Sequence, residues 1–171
     1  MCSSDLMKNQ KVRIAYIGLG SNLGNREENL SNALNRIRKL AGNIATASSF
    51  YETEPWGFQT ENKFLNMVVE IETSLDPVAL LQTLLDIEKS MGRVRANKKY
   101  SSRIIDIDIL FYESLVFEDR NLKIPHPLIR ERRFTLVPLA EIAPDFIHPV
   151  LKKSISSLLE SCQDNSNVRK L

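Results

Sequence analysis

The chain has 171 residues, 43% of them hydrophobic and 26% charged, and 23 Lys plus Arg against 21 Asp plus Glu leave a formal charge of +2. That length fits one domain with a self-sufficient core, and the composition excludes a disordered, collagenous or coiled-coil chain. Near-neutrality gives no global field for nucleic acid or a membrane surface, and two cysteines near opposite ends, Cys2 and Cys162, exclude a disulfide framework and a Cys/His metal site.

The opening MCSSDLMKNQ lacks the apolar core of a signal peptide, and no later run approaches the about 18 residues of a membrane span. The expectation is a soluble cytoplasmic protein with a disordered tail over 1–10, one domain over 11–162 and a polar C-terminal tail over 163–171. Val12 to Leu19 is a β-branched and aromatic run bounded by Gly18, Gly20 and Gly24, which predicts a strand entering a turn whose glycines supply positive φ. A helix follows, with Asn25 as cap, Glu28 three residues on, a stripe of Leu30, Ala33, Leu34, Ile37 and Leu40, and Gly42 as stop.

Ile44 to Tyr51 predicts a second strand, Glu52 to Asn62 a loop carrying Pro55, Trp56 and Gly57, and Phe64 to Thr73 a third strand. Period two puts Leu65, Met67, Val69 and Ile71 on one face of that strand and Phe64, Asn66, Val68 and Glu70 on the other. Asp76 and Pro77 begin a second helix whose stripe is Leu80, Leu81, Leu84, Ile87 and Met91, and Ile104 to Tyr112 is the fourth strand. The order βαββαβ gives an α+β fold with both helices on one face of an antiparallel sheet and a Pro-rich C-terminal extension with short helices.

The strongest chemical signal is Ile104-Ile-Asp106-Ile-Asp108-Ile-Leu110. Alternation sends Ile105, Ile107 and Ile109 to the helices and both aspartates to the opposite face, with α-carbons about 6.6 Å apart. Their mutual repulsion, about 2 kcal/mol at an effective dielectric of 20, would be reversed by a divalent cation; an all-oxygen site suits Mg²⁺. A solvated outer strand face explains the segment equally well by itself. The flanking charge favours the metal: Arg93, Arg95, Lys98, Lys99 and Arg103 precede the aspartates without an intervening anion, and Arg130, Arg132 and Arg133 follow Pro125-His126-Pro127. Carboxylates between two guanidinium clusters suit a metal-bound polyphosphate. No Walker loop or dinucleotide fingerprint is present to hold one in the usual way. Phe64 and Asn66 share the aspartates' face and could stack on and hydrogen-bond a planar heterocycle, with Trp56 or Phe134 as an opposing ring; a capped core explains them too. An RNA-binding module has the same element order, but the aromatic pattern it needs is missing.

Gly20-Ser-Asn-Leu-Gly24, Ser49-Phe-Tyr-Glu-Thr-Glu-Pro-Trp-Gly57, Phe64-Leu-Asn66, Gly92-Arg-Val-Arg95, Arg103-Ile-Ile-Asp-Ile-Asp-Ile109 and Pro125-His-Pro127 through Arg132-Arg-Phe134 together resemble the 6-hydroxymethyl-7,8-dihydropterin pyrophosphokinases of folate synthesis. The resemblance implies a ferredoxin-like fold over 11–162 and transfer of the β,γ-diphosphate of ATP to 6-hydroxymethyl-7,8-dihydropterin, giving AMP. It implies two Mg²⁺ ions on Asp106 and Asp108, with Arg93, Arg103 and the two aspartates as the catalytic set. ATP contacts are implied at Glu88, Arg93, Arg95, Tyr100, Arg103, Ile109, His126 and Arg132, and pterin contacts at Thr53, Glu54, Trp56, Phe64, Asn66 and Phe134. Ser101, Tyr100 and Glu54 depart from the residues usual in that family. A monomer without nucleic-acid or membrane partners is the expectation.

Overall fold

The computed structural model describes residues 11–54, 62–92 and 103–171. Its centre is a six-stranded antiparallel sheet of β1 (Arg13–Ser21), β2 (Asn43–Ala47), β3 (Tyr51–Thr53), β4 (Phe64–Thr73), β5 (Asp106–Tyr112) and β8 (Val168–Lys170). The order is β5-β1-β4-β3-β8, with β2 also pairing β4, while the short β6 (Phe117–Glu118) and β7 (Lys123–Ile124) form a separate hairpin.

Helices α1 (Arg26–Leu40) and α2 (Pro77–Ser90) cover one sheet face, as the periodicity predicts. Asn25 accepts the Glu28 amide at 3.1 Å and Asp76 accepts the Ala79 amide at 2.8 Å, so both helices start on a side-chain cap. Leu30, Ala33, Leu34 and Ile37 from α1, and Leu80, Leu84 and Ile87 from α2, bury against Ile17, Leu65, Val69, Ile71, Ile105, Ile107 and Ile109. Gly42 follows the helix as the expected stop, its amide donating to the Ile37 carbonyl at 3.1 Å, and a Cβ there would lie 2.2 Å from the Glu72 carbonyl oxygen, so close backbone packing on β4 also requires glycine.

The second strand differs from its prediction. Ser48 keeps pairing with Val68 through its amide and its hydroxyl, and the chain then steps aside, so β2 runs along one end of β4 and β3 along the other. β1 also runs further than predicted, and Gly18 and Gly20 lie within it rather than in a turn; of the three glycines Gly24 alone has positive φ, at 68°.

The C-terminal extension closes half of the other sheet face. Helices α3 (Arg133–Ile142) and α4 (Ile155–Glu160) bring Leu136, Leu139, Ile155 and Leu158 onto Tyr16, Val68, Leu110 and Phe111. A register shift makes this possible: Ile17 faces Ile109 and Tyr16 faces Phe111, so Leu110 is an extra residue and both Leu110 and Phe111 face the extension. His148 is buried there at the edge of the Phe111 ring, its Nδ1 accepting the Val150 and Leu151 amides. Where the sequence suggests only a polar tail over 163–171, Val168–Lys170 form β8 on the outer edge of β3.

Candidate active site

The uncovered half of that second face holds the predicted chemistry. Gly18 lies opposite Val68 on one side and Asp108 on the other, and Gly20 lies between Asn66 and Asp106. Directly opposed residues of antiparallel strands share a face, so the two aspartates, two glycines, Asn66 and, by alternation, Phe64 form one surface. Bare glycines between the polar rows keep it shallow. A Cβ on Gly20 would stand 2.7 Å from Asn66 Oδ1 and 3.6 Å from the Phe64 ring, so glycine gives both side chains their positions.

Asn66 is buried and donates from Nδ2 to Thr53 Oγ1 at 2.7 Å, which fixes its amide across β3 and β4. Arg103 pairs with Asp106 at 2.9 Å. Its backbone is held twice by Asn22, whose Oδ1 accepts the Arg103 amide at 2.6 Å and whose own amide donates to the Arg103 carbonyl at 3.0 Å. Asn22 is 3% exposed, and sequence reasoning missed it; its place after the Gly18-Leu-Gly20-Ser run at the end of β1 is the available signal.

Asp108 is pushed up to about 7, first by burial, then by Asp106, with Glu88 adding and Arg132 and Arg103 opposing. Burial, then Arg132, push His126 down to about 4 against the pull of Asp106. Its Nδ1 accepts the Leu128 amide at 3.2 Å, so the neutral ring carries its proton on Nε2. Arg132 precedes the first turn of α3 with its guanidinium carbon 5.5 Å from the Phe134 ring centre. Phe134 therefore sits in the first turn of that helix.

Two predicted residues lie elsewhere. The Ile109 side chain is buried in the core on the helix-packed face, which leaves only its backbone for a ligand. Glu88, 2% exposed on α2, accepts the Ile107 amide at 3.0 Å and fixes the backbone between the aspartates. Glu54 is exposed and 3.6 Å from the Lys63 ammonium. Trp56, Arg93, Arg95 and Tyr100 lie outside the described residues.

Residues 16–144 match the 7,8-dihydro-6-hydroxymethylpterin-pyrophosphokinase family. The chain belongs to this family. A 2-amino-4-hydroxy-6-hydroxymethyldihydropteridine pyrophosphokinase of Methylorubrum extorquens is 45% identical over 134 residues, 78% of this chain and 84% of that protein. The counterpart from Aquifex aeolicus is 40% identical over 140 residues, 82% of this chain and 86% of that protein. The folic acid synthesis protein fol1 of Schizosaccharomyces pombe is 39% identical over 151 residues; these cover 88% of this chain and only 20% of that longer protein. Among solved structures, an HPPK-DHPS in complex with substrates superposes with a TM-score of 0.72 at 19% identity, over 88% of this chain and 43% of that one. This likeness shows that the chain has the fold of those domains, the α+β arrangement expected from the element order and the ferredoxin-like fold that the resemblance implies.

Proposed function

We infer that the protein transfers the β,γ-diphosphate of ATP to the hydroxymethyl group of 6-hydroxymethyl-7,8-dihydropterin, yielding the pterin diphosphate and AMP in folate biosynthesis. The observation that carries this reading is the single open surface on which Asp106 and Asp108 lie beside Asn66 and Phe64, with only glycine between them. In the reaction the pterin hydroxyl oxygen bonds to the β-phosphorus, the bond from that phosphorus to the oxygen of the α-phosphate breaks, and the hydroxyl proton passes to solvent.

The donor set fits Mg²⁺. Arg103 compensates Asp106, but burial and Asp106 together leave Asp108 holding its proton to about pH 7, so a hard divalent cation would relieve the pair. Among the described residues no group of three or more His, Cys, Asp or Glu could hold a metal, so water and phosphate oxygens would complete the shell around two ions on Asp106 and Asp108. When bound, the ions would neutralise the polyphosphate and polarise its phosphorus.

The chain's own residues would orient and neutralise. Arg103 and Arg132, with Arg93 and Arg95 of the preceding segment, would clamp phosphate oxygens, and neutral His126 would donate from Nε2 to another. Asn66, held by Thr53, would read the heterocycle edge while Phe64 and Phe134 stack on its faces, with Trp56 and Glu54 as further pterin contacts. Most of the acceleration would come from positioning and charge stabilisation. ATP as donor supports a cytoplasmic setting. Among the described residues no helix is long and apolar enough to cross a membrane. The test is detection of AMP and pterin diphosphate from ATP, Mg²⁺ and the hydroxymethyl pterin, leaving out each component in turn. AMP formed without the pterin would reject the reaction.

A further inference from the structure

Two of the elements that carry proposed pterin-facing residues, β3 with Thr53 and α3 with Phe134, are held by a segment that lies beyond residues 16–144 matched to the family. Helix α3 lacks a side-chain cap of its own, because Arg132 stands at its N-cap position. Asp164 supplies one from outside: its Oδ2 accepts the Arg133 amide at 3.1 Å, while its Oδ1 accepts the Ser166 amide at 3.0 Å and the Ser166 hydroxyl. The chain then enters β8, where Val168 opposes Thr53, Arg169 opposes Glu52 and Lys170 opposes Tyr51.

The hold continues through side chains. Arg169 bonds Glu52 at 3.0 Å, and Glu52 also takes Arg26 at 2.8 Å, so β3 is tied to α1 as well. Lys170 stands 3.4 Å from Glu141 of α3, which accepts the Ser49 hydroxyl at 2.9 Å and the Tyr51 hydroxyl at 3.1 Å. The Leu171 amide donates to the Phe50 carbonyl at 3.0 Å. One short segment thus fixes the start of α3, its far end and the outer edge of β3.

We propose that residues 163–171 are a strap that positions the active site, Asp164 setting the Arg132–Phe134 turn of α3 and β8 setting Thr53 and through it Asn66. The inference rests on the proposed pterin and phosphate roles of those residues. Its two arms have different consequences. Loosening the α3 turn disturbs residues for both substrates, whereas loosening β3 disturbs the pterin side alone.

The test uses full-length wild type, Asp164→Ala, Asp164→Asn and a chain ending at Asn167, assayed at a temperature where all are folded. Asp164→Ala should raise KM for both ATP and pterin about fivefold, the size of a lost helix cap expressed as an affinity. Asp164→Asn, which keeps an acceptor oxygen, should recover most of that loss. The shortened chain should raise KM for the pterin by a similar factor and leave KM for ATP within about twofold. Lower melting temperatures with both KM values unchanged in Asp164→Ala and in the shortened chain would overturn the strap. Hydrogen exchange at the Arg133 amide gives a readout without substrate: Asp164→Ala should abolish its protection and Asp164→Asn should keep part of it, and unchanged protection in Asp164→Ala rejects the Asp164 arm. If wild type makes no AMP, the proposed reaction fails, and the exchange result still decides the Asp164 arm.

Discussion

The sheet has two faces made from the same three long strands, β1, β4 and β5, and they carry opposite instructions. The face under α1 and α2 is apolar through its middle, with Ser21 and Thr73 hydrogen-bonded to Asn29 and Ala41 at its ends, so its residues serve packing. The other face changes character midway: Tyr16, Val68, Leu110 and Phe111 lie beneath the C-terminal helices, while Asp106, Asp108, Gly20, Asn66 and Phe64 lie beyond them. The extra residue at Leu110 marks the change, because it turns two consecutive apolar residues towards the extension immediately after the second aspartate. Alternation in a strand therefore specifies the closed face fully, and the open face only in combination with the register shift.

Breaking the open face should stop chemistry and spare the fold. Asp106→Ala or Asp108→Ala is expected to lower turnover about 100-fold to 1000-fold or more, the scale of losing a group that stabilises developing charge. Circular dichroism should stay native, since neither side chain belongs to the apolar core. AMP release near the wild-type rate from either folded variant would remove the aspartates from the mechanism.

The closed face should respond in the reverse way. Leu84→Ala, at a position 1% exposed, should cost about 2 to 5 kcal/mol of stability while leaving the turnover of the remaining folded molecules close to wild type. Asp108→Asn is the sharpest contrast. Ionising a half-buried carboxyl beside another is costly, so this variant should be more stable than wild type at pH 8 although inactive. Denaturant midpoints of the two variants, measured side by side, check the opposite signs; a destabilised Asp108→Asn chain would show that the pair is already compensated.

A substitution between the polar rows probes the shallow floor. Gly20→Ala puts a methyl group 2.7 Å from Asn66 Oδ1, so Asn66 must move and its bond to Thr53 must lengthen or break. We expect pterin affinity to fall about tenfold, the worth of one hydrogen bond in a buried site, with ATP affinity little changed. Separate titrations of the two ligands decide it, and an equal loss for both would point to a general distortion of β1.

Much of this was legible in sequence, for reasons that differ by region. The stripes Leu30 to Ile37 and Leu80 to Ile87, the caps Asn25 and Asp76, and the alternation in Phe64 to Thr73 are local patterns with local causes, and the structure repeats them. Asp106 and Asp108 stood out because carboxylates are uncommon in strands. The strand glycines were misread as turn formers, because a bare strand position and a turn use the same residue for different reasons: Gly20 makes room for Asn66, and Gly24 takes positive φ. What periodicity could not supply was anything made by partners distant in the chain. Asn22 holding Arg103, Asp164 capping α3 and β8 completing the sheet all depend on contacts across 31 to 119 residues, from Asp164 with Arg133 to Lys170 with Tyr51.

The smallest expected effect concerns pH, and it follows from two groups at the open face that shift in opposite senses. Asp108 keeps its proton to about pH 7 in the folded chain and loses it near about 3.9 when unfolded, so in between the native state binds more protons and stability falls as pH rises. His126 releases its proton near pH 4 when folded and near about 6.5 when unfolded, so its contribution rises with pH over the same span. Burial also lowers His148, which adds to the rising side. Between about pH 5 and 6.5, above the range where Glu52, Glu141 and Asp164 titrate, these contributions oppose one another and wild-type stability should change little. Asp108→Asn removes the falling contribution. Its stability should then climb by up to about 1.4 kcal/mol more per pH unit than wild type across that window. Denaturant unfolding of both proteins at three pH values measures the two slopes, and parallel lines would show that Asp108 is already ionised in the folded chain.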